Sequence, residues 1–259
     1  MTVQVGPAPR TRELTLAFAC GPADLSSLRT AFAPRVEVEE PPDELIRLLR
    51  RERINEAGEA LDQWLASRRL VAGVINPSEA ELRALGNPSD RSLEAAMLAI
   101  RSVFRWTRLL ADHMAQGGGG TIVLPMPRHR GGNGAGEVVA FGLLGLARSR
   151  SISRVPRVRC NAVMREAGDQ ETFARVVSTL AAPELGWLSG CLLGTSRHEL
   201  TLIGRDQPSW QLFDLPGQDP PSGGGLMITS ARPGSAGAPH PARRRIAFDH
   251  AARRRGPAH

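Results

Sequence analysis

Short apolar runs alternate with helical stripes from residue 14 to residue 203, and this alternation constrains the fold more than any other feature. Residues 14–19 form an apolar run that stops at Cys20-Gly21-Pro22, and an amphipathic stretch follows over 25–32. Residues 36–40 alternate as Val36-Glu37-Val38-Glu39-Glu40 until Pro41-Pro42 ends them. A helical pattern fills 43–67, with an interruption expected at Ala57-Gly58, and residues 70–75 give another apolar strand, closed by Asn76-Pro77-Ser78. Over 92–115, Leu93, Met97, Ile100, Phe104, Leu110 and Met114 keep one helical stripe, whose Leu93-to-Phe104 part is expected to face the sheet and leave Trp106 turned away from it; Gly117 to Gly120 terminate the helix, and a buried strand follows at 121–124. A helix at 137–149, a strand at 157–163, a helix at 171–181, a Gly-rich apolar stretch at 186–194 and a last strand at 200–203 complete the pattern. Strands separated by helices of this length require crossover connections, hence a parallel sheet covered on both faces. The expected fold is a doubly wound α/β domain over 13–216, with ligands at the carboxyl ends of its strands.

Composition narrows the chemistry. The 33 basic residues are all Arg, and the chain has no Tyr. A Schiff-base lysine, a phosphate-loop lysine and a tyrosine acid are therefore excluded. Residues 217–259 hold Arg232, Arg243, Arg244, Arg245, Arg253, Arg254 and Arg255 against Asp219 and Asp249, so most of the net charge of +7 belongs to this Gly/Pro/Ser/Ala-rich tail, which is expected to be disordered. Residues 1–12 read as an N-terminal extension. The body has no basic stripe interleaved with aromatics, and no nucleic-acid partner is expected. Cys20, Cys160 and Cys191 are too widely spaced for a zinc site and too few for a disulfide framework, and the six histidines form no metal-ligand spacing. With no leader and no long apolar segment, the expectation is a cytoplasmic protein with no membrane partner and no metal.

Several stretches, in order, carry a family resemblance. They are RSVFRWTRLLADHM (101–114), GGGGTIVLPMP (117–127), AFGLLGLARS (140–149), RVRCNAV (157–163) and LSGCLLG (188–194). Together they resemble the central helix, fifth strand, active-site helix, sixth strand and terminal segment of the short-chain dehydrogenase/reductase family. The resemblance implies a Rossmann-like sheet, here with a shortened third-strand region, since 40–70 holds helical pattern and no clear strand. It also implies a subunit interface built by the helices at 92–115 and 137–149.

The same resemblance locates the catalytic positions. In the family an asparagine, a serine, a tyrosine and a lysine organise proton transfer; here those positions fall on Ala99, Pro127 (or Met126 with a one-residue slip), Gly136 and Ala140. None can move a proton. For the cofactor, the turn after the first strand offers only Gly21 followed by Pro22, which has no N–H for a pyrophosphate. Glu39 and Glu40 lie about 20 residues on, where a ribose-binding carboxylate is expected, and equally where a solvated strand end would be. The Asn-Asn-Ala-Gly motif retains Asn76, and Arg165-Glu166 replace the Pro-Gly that borders a nicotinamide. Gly21, Glu39 and Asn76 are thus the remaining cofactor-binding candidates; no cofactor is expected, with weak NAD(P) binding as the alternative.

The functional expectation is a non-catalytic subunit paired with a catalytically intact homologue that acts on hydroxyacyl-CoA, steroid or polyketide-type substrates, in a homo- or hetero-oligomer. Two alternatives stand beside it. One is a divergent NAD(P)-dependent oxidoreductase that uses displaced residues such as Arg128, His129 or Arg130; the other is a stand-alone ligand-binding module.

Overall fold

The computed structural model describes residues 12–78, 80–81, 85, 92–126, 134–152, 157–164, 168–185, 188–196, 199–203, 209–213, 225–231 and 244–247. The chain runs β1 (Arg12–Phe18), α1 (Pro22–Phe32), β2 (Val36–Glu39), α2 (Asp43–Arg50), α3 (Ile54–Leu65), β3 (Arg68–Ile75), α4 (Ser92–Gln116), β4 (Gly120–Met126), α5 (Gly134–Ile152), β5 (Val158–Met164), α6 (Gln170–Ala181) and β6 (Leu192–Ser196). Four more strands follow: β7 (Glu199–Ile203), β8 (Ser209–Phe213), β9 (Gly225–Ala231) and β10 (Arg244–Ala247).

The sheet order is β2-β1-β3-β4-β5-β6, all parallel, continued by β7 to β10 as an antiparallel meander. Strand side chains alternate between two cores, as a pleated backbone requires. Leu16 and Phe18 of β1, with Ile122 and Leu124 of β4, join α2, α3, α4 and α5 on one face. Ala17 and Val123 join α1 and α6 on the other. The doubly wound α/β sheet expected from the sequence is therefore present. Between β2 and β3 lie only α2 and α3, so β2 is an edge strand of four residues carrying Glu37 and Glu39. A short, charged edge resists pairing with another chain.

Four local expectations are corrected. The helical pattern of 43–67 breaks at Arg51 to Arg53, where Glu52 takes φ 62°, and not at Ala57-Gly58. Gly58 is helical, and a Cβ there would meet only Leu109 Cδ1 of α4, at an ordinary 4.0 Å. The last parallel strand is β6, inside the stretch read only as Gly-rich and apolar, and 199–203 turns back antiparallel to it. Asn161, fully buried on β5, holds that region: its amide donates to Leu188 O at 2.9 Å and its Oδ1 accepts from Cys191 N at 3.1 Å. Within the tail expected to lack structure, Gly225–Ala231 and Arg244–Ala247 extend the sheet. The apolar and β-branched run Leu226 to Thr229 is a local strand signal diluted by the surrounding Gly, Pro and Arg.

The fourth correction concerns α4. Its buried row is Ala96, Ala99, Val103, Trp106, Leu110 and Met114, whereas Leu93, Met97 and Phe104 of the expected sheet-facing stripe are 58%, 44% and 45% exposed. The alanines let α4 lie close to the sheet, and glycines beneath it deepen the seat. A Cβ on Gly73 would lie 2.6 Å from Leu110 Cδ1, and one on Gly120 would lie 2.6 Å from Met114 Sδ. Trp106 then reaches Phe18, ring centroids 4.6 Å apart, a pair worth roughly 0.5–1.5 kcal/mol beyond its burial.

The end of α4 gives a test. Gly119 has φ 103° and donates to Met114 O at 2.7 Å, closing the helix. A Cβ there would sit 2.4 Å from the Arg157 carbonyl oxygen, which already accepts from Gly120 N at 3.0 Å. Gly119→Ala is expected to cost about 2–4 kcal/mol in denaturant unfolding, from left-handed strain plus a backbone collision. Gly118→Ala, at φ 93° with nothing nearby, carries the strain alone and should cost about 1–2 kcal/mol. Equal costs would show that Arg157 does not crowd the turn.

Candidate functional site

The chain reverses direction across the sheet between β1 and β3, and a doubly wound fold opens its ligand crevice there, at the carboxyl ends of the strands. Three residues, Ala19, Cys20 and Gly21, connect β1 to α1. Asn76 follows β3 and ties the two strand ends together: its N–H donates to Phe18 O at 3.2 Å and its side-chain amide to Cys20 Sγ at 3.2 Å. Asn76 is buried, so both bonds are made away from water. Gly21 and Asn76 are thus brought to the crevice, as the sequence placed them, and the Asn76 amide serves the protein's own turn.

The α1 N-terminus decides whether a dinucleotide pyrophosphate fits. Such a group needs free backbone N–H donors and the positive end of a helix dipole. Gly21 caps α1 with no side-chain hydrogen bond, Pro22 occupies the first turn without an N–H, and the buried Asp24 carboxylate already sits in that turn. A negative charge held there opposes a second one. Gly21 itself has an ordinary φ of −68°, and a Cβ on it would meet nothing within 4 Å. No close approach or special backbone requires glycine, and these residues do not fit a pyrophosphate. Sequence reasoning noted Gly21-Pro22 but passed over Asp24, two residues further on.

Glu39 is engaged elsewhere. Arg68 donates to its carboxylate at 2.8 Å, also donates to Trp64 O at 3.0 Å, and lies over the Trp64 ring, 4.8 Å from its centroid. The carboxylate is neither a free ribose ligand nor a merely solvated strand end.

Of the catalytic positions, Ala99 is fully buried in the row that α4 lays on the sheet. Gly136 is buried near the start of α5, and Ala140 is half-buried one turn on. Pro127, Arg128, His129, Arg130, Arg165 and Glu166 lie outside the described residues. Burial pushes the Cys191 thiol up from its ordinary range, with Arg148 opposing, and lowers Arg159, with Glu184 opposing. Arg159 is the second residue of β5 and Cys191 immediately precedes β6, so both are separated from the β1–β3 crevice by the intervening strands of the sheet. Among the described residues no His, Cys, Asp and Glu cluster to hold a metal, and no helix is long and apolar enough to cross a membrane.

A cavity of about 200 Å³ opens beside the crevice, between α2, α4 and the segment after β3. Phe18, Ile46, Leu49, Leu98 and Trp106 form its apolar wall, and Arg50, Arg101 and Arg105 reach its rim. Sequence reasoning missed these arginines; the available signal was the four-residue spacing of Arg101 and Arg105, which places both on one helix face.

Because Gly21 stands in open space, Gly21→Ala is expected to change unfolding free energy by no more than about 0.5 kcal/mol. A loss of several times that, in thermal or denaturant unfolding, would mean that the turn needs glycine after all.

No family model matches the chain, and no curated protein matches its sequence. Solved structures do match its shape. A Burkholderia xenovorans protein assigned as a short-chain dehydrogenase/reductase superposes with a TM-score of 0.52 at 15% identity, over 72% of this chain and 95% of that one. The hydroxysteroid dehydrogenase of Escherichia coli gives 0.52 at 14% identity, over 71% of this chain and 95% of that one. At these identities the likeness is one of fold: the chain has the short-chain dehydrogenase/reductase fold, built with no strand between β2 and β3.

Proposed function

We propose that this chain is a non-catalytic, dehydrogenase-like subunit that pairs through α4 and α5 with a catalytically intact relative and supports it. The observation that carries the reading is an exposed apolar face on the two helices that the family resemblance assigns to the subunit interface. Phe141 on α5 is 72% exposed, with Val138 beside it, and Leu93 and Met97 stand out from α4. Exposed apolar residues grouped on adjacent helices mark an interaction surface more often than a solvent face. Removing such surface from water is worth roughly 25 cal/mol per Å². An interface of obligate size, on the order of 2,000 Å² or more, therefore gives a large gross gain even after association costs.

The chemical positions support the same reading. Ala99, Gly136 and Ala140 have no group that can donate, accept or relay a proton, and the α1 N-terminus does not suit a dinucleotide. The intact relative supplies cofactor and chemistry, while this chain supplies a matching surface.

Two tests follow. Phe141→Glu should abolish association with a second copy or with a catalytically intact relative and leave the monomer folded, because a charge there is costly only once a partner buries it. Trp106→Glu should instead unfold the chain, since Trp106 is 2% exposed; it is unsuited to probing the interface. If light scattering finds the unmodified protein monomeric both alone and with that relative, the subunit reading fails. The isolated chain should also show no NAD(P)H-dependent carbonyl reduction above background. Turnover that disappears when Arg128, His129 and Arg130 are changed to Ala together would establish the displaced-residue enzyme instead.

A further inference from the structure

We propose that the cavity between α2, α4 and the segment after β3 binds a small organic monocarboxylate with a flat aromatic body, its carboxylate held by Arg50 and Arg101. This inference is independent of the subunit reading. Its first support is size and lining. An apolar cavity of about 150 Å³ accommodates benzene, so one of about 200 Å³ has room for a single ring and a small polar head. Phe18, Trp106, Ile46, Leu49 and Leu98 give the ring apolar and aromatic contacts.

The second support is which polar groups at the rim are already engaged. Arg105 pairs with Glu52 and donates to Leu49 O at 3.4 Å. Glu81 accepts from Ser78 N at 2.7 Å while its own N–H donates to Ser78 Oγ at 3.3 Å, a reciprocal cap that holds its carboxylate on the local backbone. Arg50 and Arg101 have no ion-pair partner among the described residues. A guanidinium fork matches a carboxylate with two parallel hydrogen bonds, and two forks at one apolar mouth favour an anion whose body enters the cavity.

The charge balance selects the ligand's valence. Three arginines face the carboxylates of Glu81 and Glu52, leaving one formal positive charge in excess. A monoanion neutralises it. A phosphate dianion would overshoot, and it has no body to cover the apolar wall.

The test uses the full chain and phenylacetate as probe, with benzyl alcohol as neutral comparator and inorganic phosphate as bare anion, read by calorimetry and by thermal midpoint. Phenylacetate should bind one to one, with Kd on the order of 0.1–1 mM for a ligand of that size, and more weakly as salt rises. Arg50→Gln with Arg101→Gln should weaken it at least tenfold without loss of fold, since both side chains are exposed. Ser102→Trp, which fills the cavity from α4, should abolish binding while both arginines remain. Benzyl alcohol or phosphate binding as tightly as phenylacetate would overturn the proposal, as would unchanged affinity in the double variant. Absence of saturable binding at concentrations about tenfold above that range would overturn it equally.

Discussion

The close seating of α4 on the sheet is the contact on which the rest of the structure depends. Ala96 and Ala99 bring the helix down, Gly73 and Gly120 receive Leu110 and Met114, and Gly142 of α5 receives Ile100, whose Cδ1 would lie 2.6 Å from a Cβ there. Interiors are packed at crystal-like density, so each of these glycines is a fitted void and not slack. With Ala96 and Ala99 used inward in the first half of the helix, Leu93, Met97 and Phe104 point outward. The same geometry buries Trp106 against Phe18 and exposes Leu93 and Met97. Core and candidate interface are therefore two faces of one packing decision.

At the carboxyl end of β1 the governing physics is electrostatic. A helix N-terminus is an anion site only while its N–H groups and its positive potential are available to a ligand. In α1, Pro22 removes a donor and Asp24 occupies the potential. The neighbouring polar groups, Asn76 and Cys20, hydrogen-bond to the turn itself. The crevice has the topology of a nucleotide site and the internal bonding of a closed turn. Positive charge lies instead on α2 and α4, where Arg50 and Arg101 border the cavity.

Much of this fold was legible in the sequence because its main signals are local. The apolar runs of β1, β3, β4 and β5, the glycines that end α4, and the missing strand before β3 all depend on residues close together in the chain. The orientation of α4 was not legible, because periodicity ranks large apolar residues first. Leu93, Met97 and Phe104 outweigh Ala96 and Ala99 in such a reading, although the alanines face the sheet. Which face is buried depends on Gly73, Gly120 and Gly142, more than eighteen residues away in the chain from the side chains they receive in the first and third cases. The candidate site divides in the same way. Gly21 and Asn76 were found from their place beside strand ends, whereas the cavity joins α2 to α4 across the break that Glu52 makes, and no spacing along the chain announces it.

Burial also limits what side chains the positions that the family resemblance picks out can carry. Ala99 belongs to the row pressed against the sheet, so an asparagine there would bury an amide among aliphatic neighbours, at a cost of about 1–3 kcal/mol for an unsatisfied polar group. Gly136 is enclosed near the start of α5, and a tyrosine in its place would need to displace neighbours already packed. Ala140, only half-buried, is the one described position of the set where a longer side chain has an outlet. Placing a full proton-transfer set at these positions would thus require repacking α4 and α5 against each other and against the sheet. The small side chains at Ala99 and Gly136 are part of what holds these helices in place.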